Sequence, residues 1–242
     1  MMRMLVSVRD VPEALIAARG GADFIDLKEP RDGALGGLAV PAIRAIVQAL
    51  RAHGPAEGVA LPVSATIGDL PMDGLDAILA RVEAVAACGV DYVKVGIERR
   101  PQAGAVLDAL AASGRAIVPV FIADRGLDAQ ALERACALGF PGVMVDTADK
   151  NAGSLFDVMS LQALHAFVAR VRVAGALVGL AGALRLPQLA ALRALRPDFA
   201  GFRSAVCDGD RRGTLDPARL RALAAALHAG DAQVVDAQAA AA

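Results

Sequence analysis

Short apolar runs alternate along this chain with longer stretches whose apolar positions recur at helical spacing. The runs that read as strands are Met4–Ser7, Phe24–Leu27, Pro62–Ala65, Tyr92–Val95, Ala116–Ile122, Gly142–Asp146, Ala176–Ala181 and Ala200–Arg203. Each is too short for a helix. Between and after them the pattern predicts helices over 11–20, 39–52, 75–88, 102–113, 128–138, 160–174, 186–195 and 216–228. Start signals agree with this reading. Asp10 stands before Val-Pro-Glu and Asp216 before Pro217, each placing an N-cap next to a proline of the first turn. Gly20-Gly21, Gly89, Gly114, Gly139 and Gly175 stand where helices should stop.

Eight strand–helix units within 242 residues predict a single (β/α)₈ barrel, a fold for which about 250 residues is typical. An open doubly wound sheet is the competing architecture, but no G-x-G-x-x-G follows the first strand. The barrel is expected to occupy 1–230. The last dozen residues, 231–242, are rich in alanine and read as a disordered or weakly helical tail.

Composition narrows the function. The chain is 56% apolar and only 3% aromatic, with no tryptophan, as expected of a core of Ala, Leu and Val where helices pack closely on a sheet. A net charge of −1 leaves no electrostatic footprint for nucleic acid. Cys88, Cys136 and Cys207 are isolated and odd in number, which argues against disulfides and against a zinc site. His53, His165 and His228 lack metal-like spacing, so no metal is expected. The N-terminal apolar run is too short for a signal peptide, and no charge-free apolar stretch reaches membrane-spanning length. The chain is therefore expected to be cytoplasmic and to act on a small molecule, with no nucleic-acid or membrane partner. A homo-oligomer is compatible with everything in it.

The basic residues carry the chemical signal. Of 25, only Lys28, Lys94 and Lys150 are lysines, and all three lie in or just beyond strand-like runs. Arginine cannot replace an amine that must deprotonate and attack a carbonyl. In a barrel, chemistry gathers at the carboxyl ends of the strands, and alternate strands share interior layers. Lys28 follows the second strand, Lys94 lies in the fourth, Lys150 follows the sixth, and Arg203 ends the eighth. Asp26 is two residues from Lys28, so on an extended strand both face the same way, and the two are expected to share the barrel mouth. Asp146 ends the sixth strand, where it could orient a lysine, move a proton or cap the next turn. A second ammonium nearby and desolvation would each depress a lysine pKa, separating a nucleophile from a proton carrier.

The loops after strands seven and eight often hold phosphate in this fold. Here they contain Gly182, which permits close backbone approach, and Arg203, which supplies charge and a forked donor, followed by Ser204. Ser64 and Thr66, at the end of the third strand, could hydrogen-bond substrate or cap the next segment.

Several motifs together resemble the (5-formylfuran-3-yl)methyl phosphate synthases. They are Gly-Gly-Ala-Asp-Phe-Ile-Asp-Leu-Lys-Glu-Pro-Arg-Asp-Gly-Ala-Leu-Gly (20–36), Val-Ser-Ala-Thr-Ile-Gly-Asp (63–69), Asp-Tyr-Val-Lys-Val-Gly (91–96), Val-Asp-Thr-Ala (145–148), Gly-Ser-Leu-Phe-Asp (153–157) and Leu-Ala-Gly-Ala-Leu (180–184). The resemblance runs to about residue 227. It implies a TIM barrel that converts two molecules of glyceraldehyde 3-phosphate into a phosphorylated furan aldehyde for a methanofuran-type cofactor, without metal or organic cofactor. It places the Schiff-base lysine on Lys28 and a proton-accepting lysine on Lys94, with Asp26, Asp146 and Lys150 assisting. One departure is Arg-Ser-Ala-Val-Cys (203–207), where the family pattern is Arg-Gly-Ala-Ala-Cys. The arginine-rich helices point to the bacterial branch. Two rival readings are another class I aldolase, which would release an open-chain aldol, and a non-catalytic phosphate-ligand binder.

Overall fold

The computed structural model describes residues 2–33, 35–53, 61–149 and 153–239, with side chains through residue 229. Eight parallel strands close into a barrel in chain order: β1 (Arg3–Val8), β2 (Phe24–Leu27), β3 (Val63–Thr66), β4 (Tyr92–Ile97), β5 (Ile117–Ile122), β6 (Gly142–Asp146), β7 (Leu177–Leu180) and β8 (Phe199–Phe202). β8 returns to pair with β1, Arg3 opposite Phe199 and Val6 opposite Phe202. Around them lie α1 (Val11–Arg19), α2 (Val40–Ala52), α3 (Leu75–Ala86), α4 (Ala103–Ala112), α5 (Ala129–Ala137), α6 (Leu155–Val158), α7 (Leu161–Val173), α8 (Leu189–Leu195) and α9 (Pro217–Ala239).

Each predicted strand and helix is present. Asp10 caps α1 by accepting from the Glu13 backbone N–H, and Asp216 accepts from the N–H groups of Ala218 and Arg219. Two details differ from expectation. The helix expected over 186–195 opens as a 3₁₀ turn at Leu186–Gln188, with Pro187 in its first turn. The one-turn helix α6 adds an element after β6, opened by a capping box between Ser154 and Asp157. Helix α9 runs on to Ala239, within the stretch expected as a disordered or weakly helical tail.

Alternation along the strands sorts side chains into two separate cores, because successive residues point to opposite faces. On β1, Met4, Val6 and Val8 join the large core beneath the helices, while Leu5 and Ser7 point into the barrel. On β2 the outward pair is Ile25 and Leu27, and the inward pair Phe24 and Asp26. On β4 Val93 and Val95 face out, while Tyr92 and Lys94 face in. On β6 Val143 and Val145 face out, while Met144 and Asp146 face in.

The amino-terminal end of the interior is plugged by apolar side chains. The rings of Phe24 and Phe199 lie 5.4 Å apart between centroids, and the Arg3 guanidinium covers Phe24 at 4.6 Å. Gly179 makes room for this plug: a Cβ there would stand 2.4 Å from the Phe199 ring. With the floor filled, open space inside the barrel remains at the carboxyl ends of the strands.

Candidate active site

Asp26 is the centre of the polar layer above that plug. Its Oδ1 lies 2.8 Å from Lys94 Nζ and accepts from Ser64 Oγ at 2.7 Å, and its Oδ2 accepts from Ser7 Oγ at 3.2 Å. All four side chains are buried. Strand register explains the meeting, since Asp26 stands opposite Ser7 on β1 and Ser64 on β3. Lys28 Nζ lies 3.8 Å from Asp146 Oδ2, and Asp146 Oδ1 accepts the Thr147 backbone N–H at 2.8 Å.

The charges therefore pair across the barrel, β2 with β4 and β2 with β6. The expected sharing of the mouth by Asp26 and Lys28 holds, but their ion-pair partners come from other strands. Residues two apart on a strand stand about 6.6–6.8 Å apart along the chain, side by side, whereas side chains from other strands converge on the axis.

Electrostatics distinguish the members of this layer. Burial alone would raise the Asp26 pKa. The positive charges of Lys94 and Lys28, with hydrogen bonds from Lys94 and Ser64, outweigh it and hold the carboxyl below its usual value of 3.8. For Lys94 burial dominates and lowers the pKa from 10.5; Asp26 opposes this, and the Lys28 charge reinforces it. Both directions follow from the arrangement, in which one carboxylate is shared by two ammonium groups.

Arg203, expected to offer its fork to a phosphate, has all five N–H groups turned to protein acceptors. Nη1 and Nη2 hold Glu13 of α1 in a two-bond ion pair at 2.5 and 3.0 Å, and Nε donates to the Arg211 carbonyl. The remaining Nη1 and Nη2 bonds go to the carbonyls of Ser7 and Gly213. Arg203 thus fastens the β8–α9 loop to α1 and β1. That loop carries the half-buried Arg211 back over the mouth, where its side chain lines the same cavity as Lys28, Lys94, Asp26 and Asp146.

Gly182 and Ser204 also border this cavity. Gly182 has a structural reason to be glycine. Its φ is +119°, and a Cβ would stand 3.0 Å from the Thr147 side chain. Ser204 opens the 3₁₀ turn Ser204–Val206.

Ser64 and Thr66, expected either to bind substrate or to cap, direct their hydroxyls to protein. Ser64 donates to Asp26, and Thr66 donates to the Gly36 carbonyl at 2.9 Å. The Thr66 bond fixes the β2–α2 loop, which Asp69 also holds through the Leu35 N–H. Close approach explains the glycine at 36 in the long second-strand motif: a Cβ there would be 2.2 Å from the Asp32 carbonyl oxygen. Lys150 lies outside the described residues. Among the described residues no cluster of His, Cys, Asp and Glu could hold a metal ion, and no helix is long and apolar enough to cross a membrane.

Sequence reasoning did not single out Ser7, Glu13 or Arg211. Ser7 had a legible signal, a hydroxyl two residues after Leu5 on an inward-facing strand position. Arg211 had none, since Asp-Gly-Asp-Arg-Arg-Gly in an arginine-rich chain reads as a solvated loop.

A sequence model of the 4-HFC-P synthase family matches residues 4–224. A Methylorubrum extorquens relative, named provisionally as a (5-formylfuran-3-yl)methyl phosphate synthase, is 39% identical over 229 residues, covering 94% of this chain and 92% of its own. The (5-formylfuran-3-yl)methyl phosphate synthases of Archaeoglobus fulgidus and Methanopyrus kandleri are 35% and 36% identical, over 94% and 93% of this chain and 100% and 98% of theirs. Among solved structures, phosphoribosyl anthranilate isomerase from Thermus thermophilus superposes with a TM-score of 0.64 at 20% identity, covering 94% of this chain and 99% of that one. The 3-hexulose-6-phosphate synthase of Salmonella typhimurium gives 0.63 at 18%, covering 93% and 98%. These two likenesses are of fold alone. The match along nearly the whole barrel, with full-length relatives at more than a third identity, shows that the chain belongs to the 4-HFC-P synthase family.

Proposed function

We propose that this protein condenses two molecules of glyceraldehyde 3-phosphate into (5-formylfuran-3-yl)methyl phosphate through an imine on Lys28, as a step toward a methanofuran-type cofactor. The observation that carries this reading is the pair of lysines, each set against a carboxylate from another strand, at the carboxyl end of a barrel. The names of the family's members support the product. Atoms balance with release of one phosphate and two waters overall.

Lys28 lines the mouth cavity one residue beyond the end of β2, where a triose phosphate can enter. Its unprotonated amine adds to the carbonyl carbon and water leaves, giving a protonated imine. That imine withdraws electrons as a proton leaves the adjacent carbon, so an enamine forms without a metal or organic electron sink. The enamine carbon then bonds to the aldehyde carbon of the second triose. Elimination of one phosphate and the dehydrations that close the ring follow, and hydrolysis frees Lys28.

Lys94 borders both the mouth cavity and the apolar space beneath it. Burial makes its neutral form more accessible than that of an ordinary lysine, which suits a group that takes and returns protons. Asp26 is the charge partner that holds Lys94 in place, and Ser7 and Ser64 hold Asp26. Asp146 orients Lys28, and Lys150, four residues on in sequence, assists the proton transfers.

The test is to incubate the purified protein with glyceraldehyde 3-phosphate alone and to follow free phosphate and the furan chromophore. Borohydride added during turnover should leave an adduct on the peptide bearing Lys28, and Lys28→Ala should drop turnover to below about 10⁻⁴ of wild type. An open-chain aldol in place of the furan, or an adduct confined to another lysine, would overturn the reading.

A further inference from the structure

The two arginines of the β8–α9 region are used in opposite ways. Arg203 directs five of its five N–H groups to protein acceptors, one of them the carbonyl of Arg211 itself. The side chain of Arg211, among the described residues, makes one hydrogen bond, from Nη2 to the Gly33 carbonyl at 3.2 Å. It is half-buried, lines the cavity with both lysines, and feels the charges of Asp146 and Arg203. Its partial burial carries a desolvation cost that one long hydrogen bond to a carbonyl does not offset.

Among the described residues, Lys28, Lys94 and Arg211 meet the carboxylates of Asp26 and Asp146 in this cavity, and Asp69 and Asp210 also act on Arg211. Lys94 and Lys28 each stand against a carboxylate, and Arg203 is held by Glu13. Arg211 is the cation of the lining whose side chain forms no ion pair among the described residues, and its planar fork matches the oxygens of a phosphate monoester. The loop that carries it is not free to drift. Cys207 bridges to Leu215, and the Asp208 N–H bonds the Thr214 carbonyl, while Arg203 grips the carbonyls of residues 211 and 213.

We infer that Arg211 is the side chain that grips a phosphate group of the substrate, and that Arg203 with Glu13 serves to position the loop that presents it. The inference rests on the reading that the substrate is a triose phosphate, and it assigns the phosphate to the β8–α9 loop tip and not to the Arg203 side chain.

Arg211→Gln is the test variant, since residue 211 is not in the core and the substitution removes the charged fork while keeping a polar side chain. Binding of inorganic phosphate is measured by titration calorimetry in wild type and variant, alongside KM and kcat for glyceraldehyde 3-phosphate. Losing a charge-assisted pair of bonds predicts a rise of about 10- to 100-fold in both the phosphate Kd and KM. The change in kcat should be much smaller, and borohydride capture of unphosphorylated glyceraldehyde at Lys28 should fall less than about threefold. Wild type that does not bind phosphate, an unchanged phosphate Kd in the variant, or equal losses for phosphorylated and unphosphorylated aldehydes would each overturn the assignment. A weaker phosphate Kd in a protein that makes no furan would leave Arg211 standing and remove the proposed reaction. Furan formation with unaltered phosphate affinity in the variant would do the reverse.

Discussion

The floor and the polar layer of the barrel interior are built from the same strands, one inward step apart, and their chemistry is opposite. Leu5 is followed two residues on by Ser7, Phe24 by Asp26, Tyr92 by Lys94 and Met144 by Asp146. Below, apolar side chains close on each other and exclude water, with Phe24 against Phe199. Above, the same inward direction carries two carboxylates and two ammonium groups that are no more than a few per cent exposed. Burying charge costs several kcal/mol per ion even after relaxation. A fold that needed only stability would have continued the floor upward, as β5 does with Val118, Val120 and Ile122. The contrast supports the proposal that the ionic layer serves chemistry, and the apolar floor beneath gives it the low-polarity setting that lowers the pKa of Lys94.

That comparison can be broken at either layer. The largest effect is expected from Lys94→Gln, which leaves the floor intact. Furan formation should fall about 10²–10⁴-fold, while borohydride capture at Lys28 persists. The pH–rate limb that wild type owes to Lys94, set below an ordinary lysine's value by burial, should vanish. Normal furan formation would show that the two lysines are not divided in role, and loss of capture at every pH would make Lys94 necessary for the imine itself.

Phe199→Ala should do the opposite. Removing this ring from the plug is expected to cost about 3–5 kcal/mol in a urea melt. Turnover per folded molecule should fall far less than in Lys94→Gln, because the ring fills the apolar space beneath Lys94 and is not one of its ion-pair partners. The Lys94 limb of the pH–rate profile should move up toward an ordinary lysine's value as water enters. A collapse of turnover with little loss of stability would mean that floor and active layer are not separable.

The smallest effect concerns acid stability. The Asp26 carboxyl has a folded-state pKa lowered from 3.8, so the unfolded chain takes up its proton first as pH falls. The stability it contributes is complete above about 3.8 and is lost as pH drops through the lowered folded value. Urea melts between about pH 5 and pH 3 should show wild type losing stability faster than Asp26→Asn, by no more than about 1.4 kcal/mol per pH unit. Equal slopes would mean that Asp26 is not held ionised by its two lysines.

Much of the candidate site is legible in the sequence. Lys28 and Lys94 stand out because lysine is scarce and strand-bound in this chain, Asp26 because it is two residues from Lys28 on an extended strand, and Asp146 because it ends the sixth strand. Arg203 was legible as a residue at the end of the eighth strand, but its five donors go to Glu13 and three carbonyls. Glu13 sits in the first turn of α1, 190 residues away in sequence, and no local pattern announces such a partner. Ser64 and Thr66 were legible as polar ends of a strand, with the choice between ligand and support left open. Each hydroxyl donates to protein, Ser64 to Asp26 and Thr66 to Gly36.

The sequence by itself determined the number and order of the strands, the main helix that follows each of them, and the shared face of Asp26 and Lys28 at the end of the second strand. These are consequences of period and sterics, which act over a few neighbouring residues. Only the tertiary structure decided that Asp26 is bonded by Lys94 while Lys28 reaches Asp146, that Arg203 is used up by the scaffold, and that Arg211 turns over the mouth. Those outcomes depend on which strands face each other across a closed barrel and on how a loop is fastened at its ends. Both are set by contacts between residues far apart in sequence, which no local pattern encodes.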